Sequence, residues 1–264
     1  MSDRVRGHRY GPEENGSPHG PAAQYGDPTG WEIAEEMPVV IFYNGIQFGV
    51  MMMTPDNFEE FAIGFSLSEG IINSISQIGD IRLENLAQGM GVNIIVPEEA
   101  LKIARTRKRS IAGASSCGIC GAQSLAIALP RVKKTSGFIP SPPIALKALK
   151  NLPAQQKLRQ KNYSTHAAAL ANENGEILLL REDVGRHNSL DKLIGAMARA
   201  KLSAKTGFLV LSSRYSVEMA QKSASFGFSF VACVSAPTSL ALAISKKAAM
   251  KIGAQAETNI MIFD

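Results

Sequence analysis

The regular alternation of hydrophobic and polar positions begins at Met37. Val39-Val40-Ile41-Phe42-Tyr43 and Ile46-Gln47-Phe48-Gly49-Val50 flank Asn44-Gly45, the pair best able to take the positive φ angles of a two-residue hairpin turn. A β-hairpin is predicted there. Thr54 reads as the cap of a helix with Pro55 in its first turn. Phe58, Phe61, Ala62 and Phe65 recur at helical spacing, and Gly70 stops the helix. Short strands are expected at 81–83 and 92–96, then a helix from Glu98 into the basic run Arg105-Thr106-Arg107-Lys108-Arg109. A Gly/Ser-rich loop carries Cys117 and Cys120 and leads to an apolar segment, 125–129, a Pro-punctuated stretch, 140–143, and a Lys-rich helix, 144–161.

A second hairpin, 166–171 and 176–180, surrounds Asn174-Gly175. Helices at 189–201, 217–224 and 239–251 then alternate with strands at 208–211, 230–234 and 259–263. Strands alternating with helices imply right-handed crossovers and a parallel sheet covered on both faces. The expected fold is α/β, opened by a hairpin. Residues 1–30 are rich in Gly and Pro turn signals with almost nothing to bury and read as a disordered tail. The chain divides into that tail, an N-terminal α+β part at 31–135 with the Cys-x-x-Cys loop, and a C-terminal α/β domain at 136–264.

Composition narrows the class. With 264 residues, 45% of them hydrophobic, the chain can bury a sizeable core, which excludes a mostly disordered protein. Its 28 Lys+Arg against 23 Asp+Glu, formally +5, suit an anionic ligand without implying nucleic acid. The first residues lack the apolar stretch of a signal peptide, and no apolar run approaches the ~20 residues of a membrane span, so a soluble cytoplasmic protein with no membrane partner is expected. Three cysteines, at 117, 120 and 233, are too few for a disulfide framework and fit a reducing compartment.

In open α/β sheets ligands bind where strand ends feed helix N-termini. Three such junctions are visible: Asp183-Val184-Gly185-Arg186-His187-Asn188, Ser212-Ser213-Arg214-Tyr215-Ser216 and Ser235-Ala236-Pro237-Thr238-Ser239. Gly185 would let backbone approach a phosphate and Arg186 could fork two of its oxygens. His187 reads as a general acid/base or a capping side chain, and His166 as a core histidine or a second group facing the same cleft. Cys233, inside an apolar strand, reads as a small buried hydrophobe, and the ten methionines as packing.

Cys117-Gly118-Ile119-Cys120 admits three chemistries. A structural zinc site needs four ligands, and only Cys233, His166 and His187 stand as distant additions to the pair. Dithiol redox chemistry, as in a thiol-disulfide oxidoreductase, favours a pair at a helix start, whereas Ser115-Ser116 and Gly121 describe a pliable loop. Sulfur carriage needs an exposed thiolate on a mobile arm, which the upstream cations would favour. Zinc-dependent deamination is excluded, because no His is followed two places on by Glu and Ser116, not Pro, precedes Cys117. The bland alternative is a solvated basic helix end with inert cysteines.

The combined pattern resembles the FdhD family of sulfur carriers required by formate dehydrogenases. The matching stretches are Ala34-Glu35-Glu36 through Tyr43-Asn44-Gly45, Phe65-Ser66-Leu67-Ser68-Glu69-Gly70-Ile71-Ile72, Ser115-Ser116-Cys117-Gly118-Ile119-Cys120-Gly121, His166-Ala167-Ala168-Ala169, Glu182-Asp183-Val184-Gly185-Arg186-His187-Asn188 with Asp191-Lys192, and Val234-Ser235-Ala236-Pro237-Thr238-Ser239-Leu240. The resemblance implies a cytidine-deaminase-like three-layer sandwich without the deaminase metal. It implies sulfur received from a cysteine desulfurase and delivered to the molybdenum or tungsten bis-pterin guanine dinucleotide cofactor before that cofactor enters formate dehydrogenase. Cys117 matches the persulfide-bearing cysteine and Cys120 its partner. Arg186, His187, Ser212, Arg214 and Thr238, at the junctions, are expected to hold this cofactor, and no resident metal is expected. Whether the chain forms a homodimer stays open.

This chain departs from the family pattern at three places. It has Ser164-Thr165 in place of a Gly pair, Ser213 in place of Gly, and Ala254-Gln255-Ala256-Glu257-Thr258-Asn259 where the family has a basic, Gly-containing segment that contacts the cofactor.

Overall fold

Residues 4–8, 28–111 and 132–264 are described by the structure, a computed structural model. Cys117, Cys120 and the apolar segment 125–129 lie outside them. Where the sequence reading has only a tail, β1 (Arg4–His8) pairs antiparallel with β2 (Pro28–Glu32).

The first hairpin forms as predicted from β3 (Met37–Tyr43) and β4 (Ile46–Met53), with Asn44 at φ 49° and Gly45 at φ 77°. Helix α1 (Phe58–Ser68) starts later than the sequence implies, behind Asn57 at φ 51°. Thr54 is not its cap, because its polar groups are spent across the fold. Its N–H donates to Asp183 Oδ2 (3.1 Å), its Oγ1 accepts the Val184 N–H (3.1 Å), and its carbonyl accepts from Lys192 Nζ (3.0 Å). Gly70, at φ 66°, follows the helix end. Strands β5 (Asp80–Leu86) and β6 (Gly89–Ile95) complete a sheet ordered β4-β3-β6-β5, and α2 (Glu98–Ile111) follows. Val39, Ile41, Tyr43, Val92 and Ile94 alternate onto one face and pack against Phe61 and Phe65 of α1 and Leu101 and Ala104 of α2. This is the period of two that a half-buried sheet requires.

The predicted helix 144–161 is two helices, α3 (Pro142–Gln155) and α4 (Arg159–Asn162). Pro153 lacks the N–H that would continue the ladder, and Glu182 then captures the N–H groups of Leu158 (2.7 Å) and Arg159 (2.8 Å) to start a new turn. Next come β7 (His166–Ala171), β8 (Ile177–Asp183), α5 (Arg186–Arg199), β9 (Phe208–Leu211), α6 (Val217–Phe226), β10 (Phe230–Cys233) and α7 (Ser239–Lys247). The predicted helix to residue 251 ends early. Lys251–Ala256 is instead strand β11, hairpinned to β12 (Asn259–Phe263).

The second sheet is mixed, in the order β12-β11-β10-β9-β7-β8. Strands β9, β10 and β11 are parallel, and an antiparallel hairpin closes each flank. Leu209, Leu211, Val231 and Cys233 face a core shared with α5, α6 and α7, while Phe208, Val210, Phe230 and Ala232 face α3. The result is helix, sheet and helix in three layers. Cys233 is fully buried, and burial pushes its thiol up to about 12, consistent with an inert core residue.

A strand-end site in the second sheet

Strand direction decides what the second sheet brings together. Because β8 antiparallels β7, which antiparallels β9, the end of β8, the start of β7 and the ends of β9, β10 and β11 share one edge. His166 pairs with Asp183. Ser212 donates its N–H to Ala167 O (3.0 Å) and accepts the Ala167 N–H on Oγ (2.7 Å). The junctions after β9 and β10 meet at a parallel bridge between Tyr215 and Pro237. All three junctions singled out from sequence therefore line one edge, joined at its far end by the β11–β12 turn, where Glu257 takes φ 50°.

Asp183 builds the loop that presents Arg186 and His187. Its Oδ1 accepts from the Gly185 N–H (2.7 Å) and Asn188 Nδ2 (3.0 Å), while Oδ2 meets Lys192 Nζ (2.7 Å) and the Thr54 N–H. Asp183 and Lys192 are both 0% exposed, and Asp56 adds a second carboxylate to the same ammonium. Gly185 is the N-cap of α5, so Arg186 and His187 sit in its first turn, where unsatisfied N–H groups and the helix dipole favour an anion.

Among the described residues, three nitrogens at this edge are buried without a hydrogen-bond partner: His166 Nδ1, Arg186 Nε and His187 Nε2. Unpaired buried polar atoms are costly in a folded protein and commonly mark a place for a missing ligand. Burial, and then Arg186, Arg159 and His187, push the His166 pKa below the usual histidine value, so its ring is neutral at physiological pH. His187 Nε2 lies 3.9 Å from Glu218 Oε2, beyond hydrogen-bond reach. Burial works to raise the Glu218 carboxyl, but His187, the residue's own N–H and Ser216 Oγ (2.8 Å) outweigh it and hold its pKa down at about 2.

The remaining expected ligand residues differ in what they have to offer. Arg214 is exposed at the tip of its junction. Thr238 is the N-cap of α7, accepting the Ala241 N–H at 3.3 Å, and Ser212 Oγ is occupied by Ala167. Ala254 is buried in the core and Gln255 is half-buried, whereas Ala256, Glu257, Thr258 and Asn259 are exposed on the hairpin. Among the described residues no group of three or more His, Cys, Asp or Glu could hold a metal ion, and no helix is long and apolar enough to cross a membrane.

Sequence reasoning missed Glu218 and Glu69. An acidic residue in the first turn of a helix after a strand-end junction, Glu218 behind Ser216, is the signal that could have flagged the first. Glu69 ends α1 and pairs with Lys222 (2.8 Å), which also binds Asp191 (2.9 Å) and Ser68 Oγ (2.9 Å). Burial would raise the Glu69 carboxyl, yet Lys222 first, then Arg107 and His187, hold it below the usual carboxylate value. Glu69 thus lies within electrostatic range of both the basic end of α2 and the strand-end edge.

Fold and edge together define a mixed α/β protein whose strand-end loops present cations and unpaired nitrogens suited to an anionic ligand. A sequence profile of the FdhD/NarQ family matches residues 34–263, and the chain belongs to that family. A sulfur carrier protein FdhD from Xanthomonas euvesicatoria is 43% identical over 222 residues, covering 83% of this chain and 79% of the relative. The protein of that name from Cupriavidus necator is 41% identical over 223 residues, covering 84% and 77%. The crystal structure of a candidate formate dehydrogenase accessory protein from Desulfotalea psychrophila superposes with a TM-score of 0.73 at 21% identity, over 100% of this chain and 97% of that one, a likeness of fold.

Proposed function

We propose that the protein is a cytoplasmic sulfurtransferase, a sulfur carrier required for formate dehydrogenase activity. The carrying observation is its similarity, above 40% over most of its length, to relatives named sulfur carrier protein FdhD. In this reading the Cys117 thiolate attacks the outer sulfur of a persulfide on a cysteine desulfurase. A new S–S bond forms on Cys117 as the donor's S–S bond breaks, and the donor cysteine leaves as its thiolate. Cys120 is the second thiol of the arm, for relay or release. The arm follows α2, whose basic run favours thiolate over thiol.

The acceptor is the molybdenum or tungsten bis-pterin guanine dinucleotide, bound as substrate before it enters formate dehydrogenase. Its phosphates suit Arg186, Arg214 and the first turn of α5, and the unpaired nitrogens of His166, Arg186 and His187 are the observation that favours a polyanionic client there. Glu257, the acid on the β11–β12 turn, works against phosphate at the far end of the edge, so the grip is assigned to the α5 end. The strand order β8-β7-β9-β10-β11, with β7 antiparallel to both β8 and β9 and the last three strands parallel, supports a cytidine-deaminase-like description of the second sheet.

Intact-mass measurement after incubation with a desulfurase and cysteine tests the carrier reading. Wild type should gain whole sulfur atoms that reductant removes. No gain, or the same gain in a Cys117→Ala/Cys120→Ala variant, rejects it.

A further inference from the structure

Helix α2 leads directly into the segment that bears the two cysteines, and its two faces differ. Ala100, Leu101 and Ala104 are buried against the first sheet. On the outward side Lys102, Ile103 and Arg105 are exposed, Ile103 to 40%. Lys102, Ile103 and Arg107, with Thr106, line a shallow depression of about 260 Å³. Lys108 is engaged differently, donating to Gln47 O at 2.6 Å and so fastening the end of the helix to the first hairpin. Among the described residues, Arg105 makes a long contact of 3.8 Å to Glu98, with both partners about half exposed, a pair of little energetic weight. Beyond its first turn the outward face is therefore an apolar side chain flanked by Lys102, Arg105 and Arg107, of which Arg107 also acts on Glu69.

A solvated helix face would account for the charges, which also complement the helix dipole near its C-terminal end. It does not account for Ile103 lying exposed among them, nor for their place in the chain. Cys117 is six residues beyond Ile111 in the sequence, a length of chain that spans at most roughly 20 Å. A protein that passes sulfur to it must bring its own reactive group within that radius. The outward face of α2 lies there, and beyond its first turn, which holds Glu98 and Glu99, its charges are positive.

We infer that the Lys102–Ile103–Arg105–Arg107 face of α2 is the docking surface for the protein that supplies the sulfur, and that it receives an acidic segment with one apolar side chain seated at Ile103. The inference rests on the carrier reading above and adds to it the surface and the charge of the partner. Complementary charge of this kind acts chiefly on the rate of encounter and is screened by salt.

The test compares two sulfur sources on the full chain. A Lys102→Glu variant, altered at one exposed position outside the basic run 105–109, should be loaded severalfold more slowly by the desulfurase at low salt, with the difference shrinking as salt is raised. Loading by saturating inorganic polysulfide, which needs no docked protein, should be unchanged. An Ile103→Ser variant should slow desulfurase loading at every salt concentration. Equal loading of wild type and variants by the desulfurase would overturn the docking surface. Equal slowing with both sources would also overturn it, because the cations would then be acting on the cysteines. Wild type that takes sulfur from neither source would instead reject the carrier reading, and this inference with it.

Discussion

Gly64 of α1 and Gly195 of α5 each face the other helix's backbone. A Cβ on Gly64 would lie 1.7 Å from the Asp191 carbonyl oxygen, and one on Gly195 would lie 1.8 Å from the Glu60 carbonyl oxygen. This reciprocal contact locks the first sheet's helix onto the helix that presents Arg186 and His187. Bidentate pairing of Arg181 with Glu60 and the Lys222 cluster flank it.

Alanine normally stabilises a helix interior by about 1 kcal/mol over glycine. Here the obstruction is backbone, which cannot rotate away, so overpacking at the upper end, about 3 kcal/mol, should win. Gly64→Ala and Gly195→Ala are each expected to lose about 2 kcal/mol or more in urea unfolding. A gain in stability at either site would mean that the helices do not approach this closely.

Local chemistry explains which parts of this arrangement were legible in the sequence. Asn44-Gly45 and Asn174-Gly175 announce hairpins because positive φ is a property of single residues. The ends of β9 and β10 could be foreseen because apolar runs alternate with helical periodicity. Strand β11 could not. Lys251-Ile252-Gly253-Ala254-Gln255-Ala256 has only one β-branched residue, and it becomes a strand through pairing with β10 and β12. Gly253 fits there because a Cβ would meet Ile260 and Phe230. Thr54 misled for the opposite reason: a good capping side chain was recruited by Val184, 130 positions away. At the site, the residue types of Arg186 and His187 could be read, but their unpaired nitrogens depend on packing between β7, α5 and α6.

Lys222 is the hub of a buried cluster with Asp191, Glu69 and Ser68, and its ammonium lies 5.1 Å from the centre of the Phe65 ring. Burial disfavours its charge, but the two carboxylates outweigh this and hold its pKa above the usual lysine value. Removing one partner of such a cluster strands buried charge, at a cost of about 3–5 kcal/mol. Lys222→Met should show a loss of that size in urea at neutral pH. Lys102→Met, at an exposed site, should change stability by less than about 0.5 kcal/mol. Equal effects would remove the cluster from any role in holding α1 to α6.

Glu218 sets an acid-side prediction with a definite sign. Its folded pKa is depressed to about 2 from an ordinary value of 4.5, so its contribution is complete above about pH 4.5 and is lost as pH falls towards 2. Asp183 acts in the opposite sense, its carboxyl being raised by burial. The difference between wild type and a Glu218→Gln variant is therefore the quantity to follow. Thermal melts at several pH values should show wild type more stable above pH 5 and the two converging towards pH 2. A gap that widens on acidification would contradict the assignment.

Arg186, Arg214 and Thr238 stand at neighbouring strand ends but should separate cleanly when each is cut to alanine. Arg186 has an unpaired buried Nε and Arg214 an exposed guanidinium, whereas the Thr238 hydroxyl caps α7. Charge-assisted contacts to phosphate are worth about 1.5–3 kcal/mol, so Arg186→Ala or Arg214→Ala should weaken guanine nucleotide binding roughly tenfold to a hundredfold. Stability should change little for Arg214→Ala. Thr238→Ala should do the reverse, costing about 1 kcal/mol of stability for the lost cap while leaving nucleotide affinity within about twofold. Calorimetric titration with GDP, alongside urea melts of the same three variants, decides between these outcomes. If both arginine variants bind GDP as wild type does, these arginines are structural, and the strand-end edge does not hold the nucleotide.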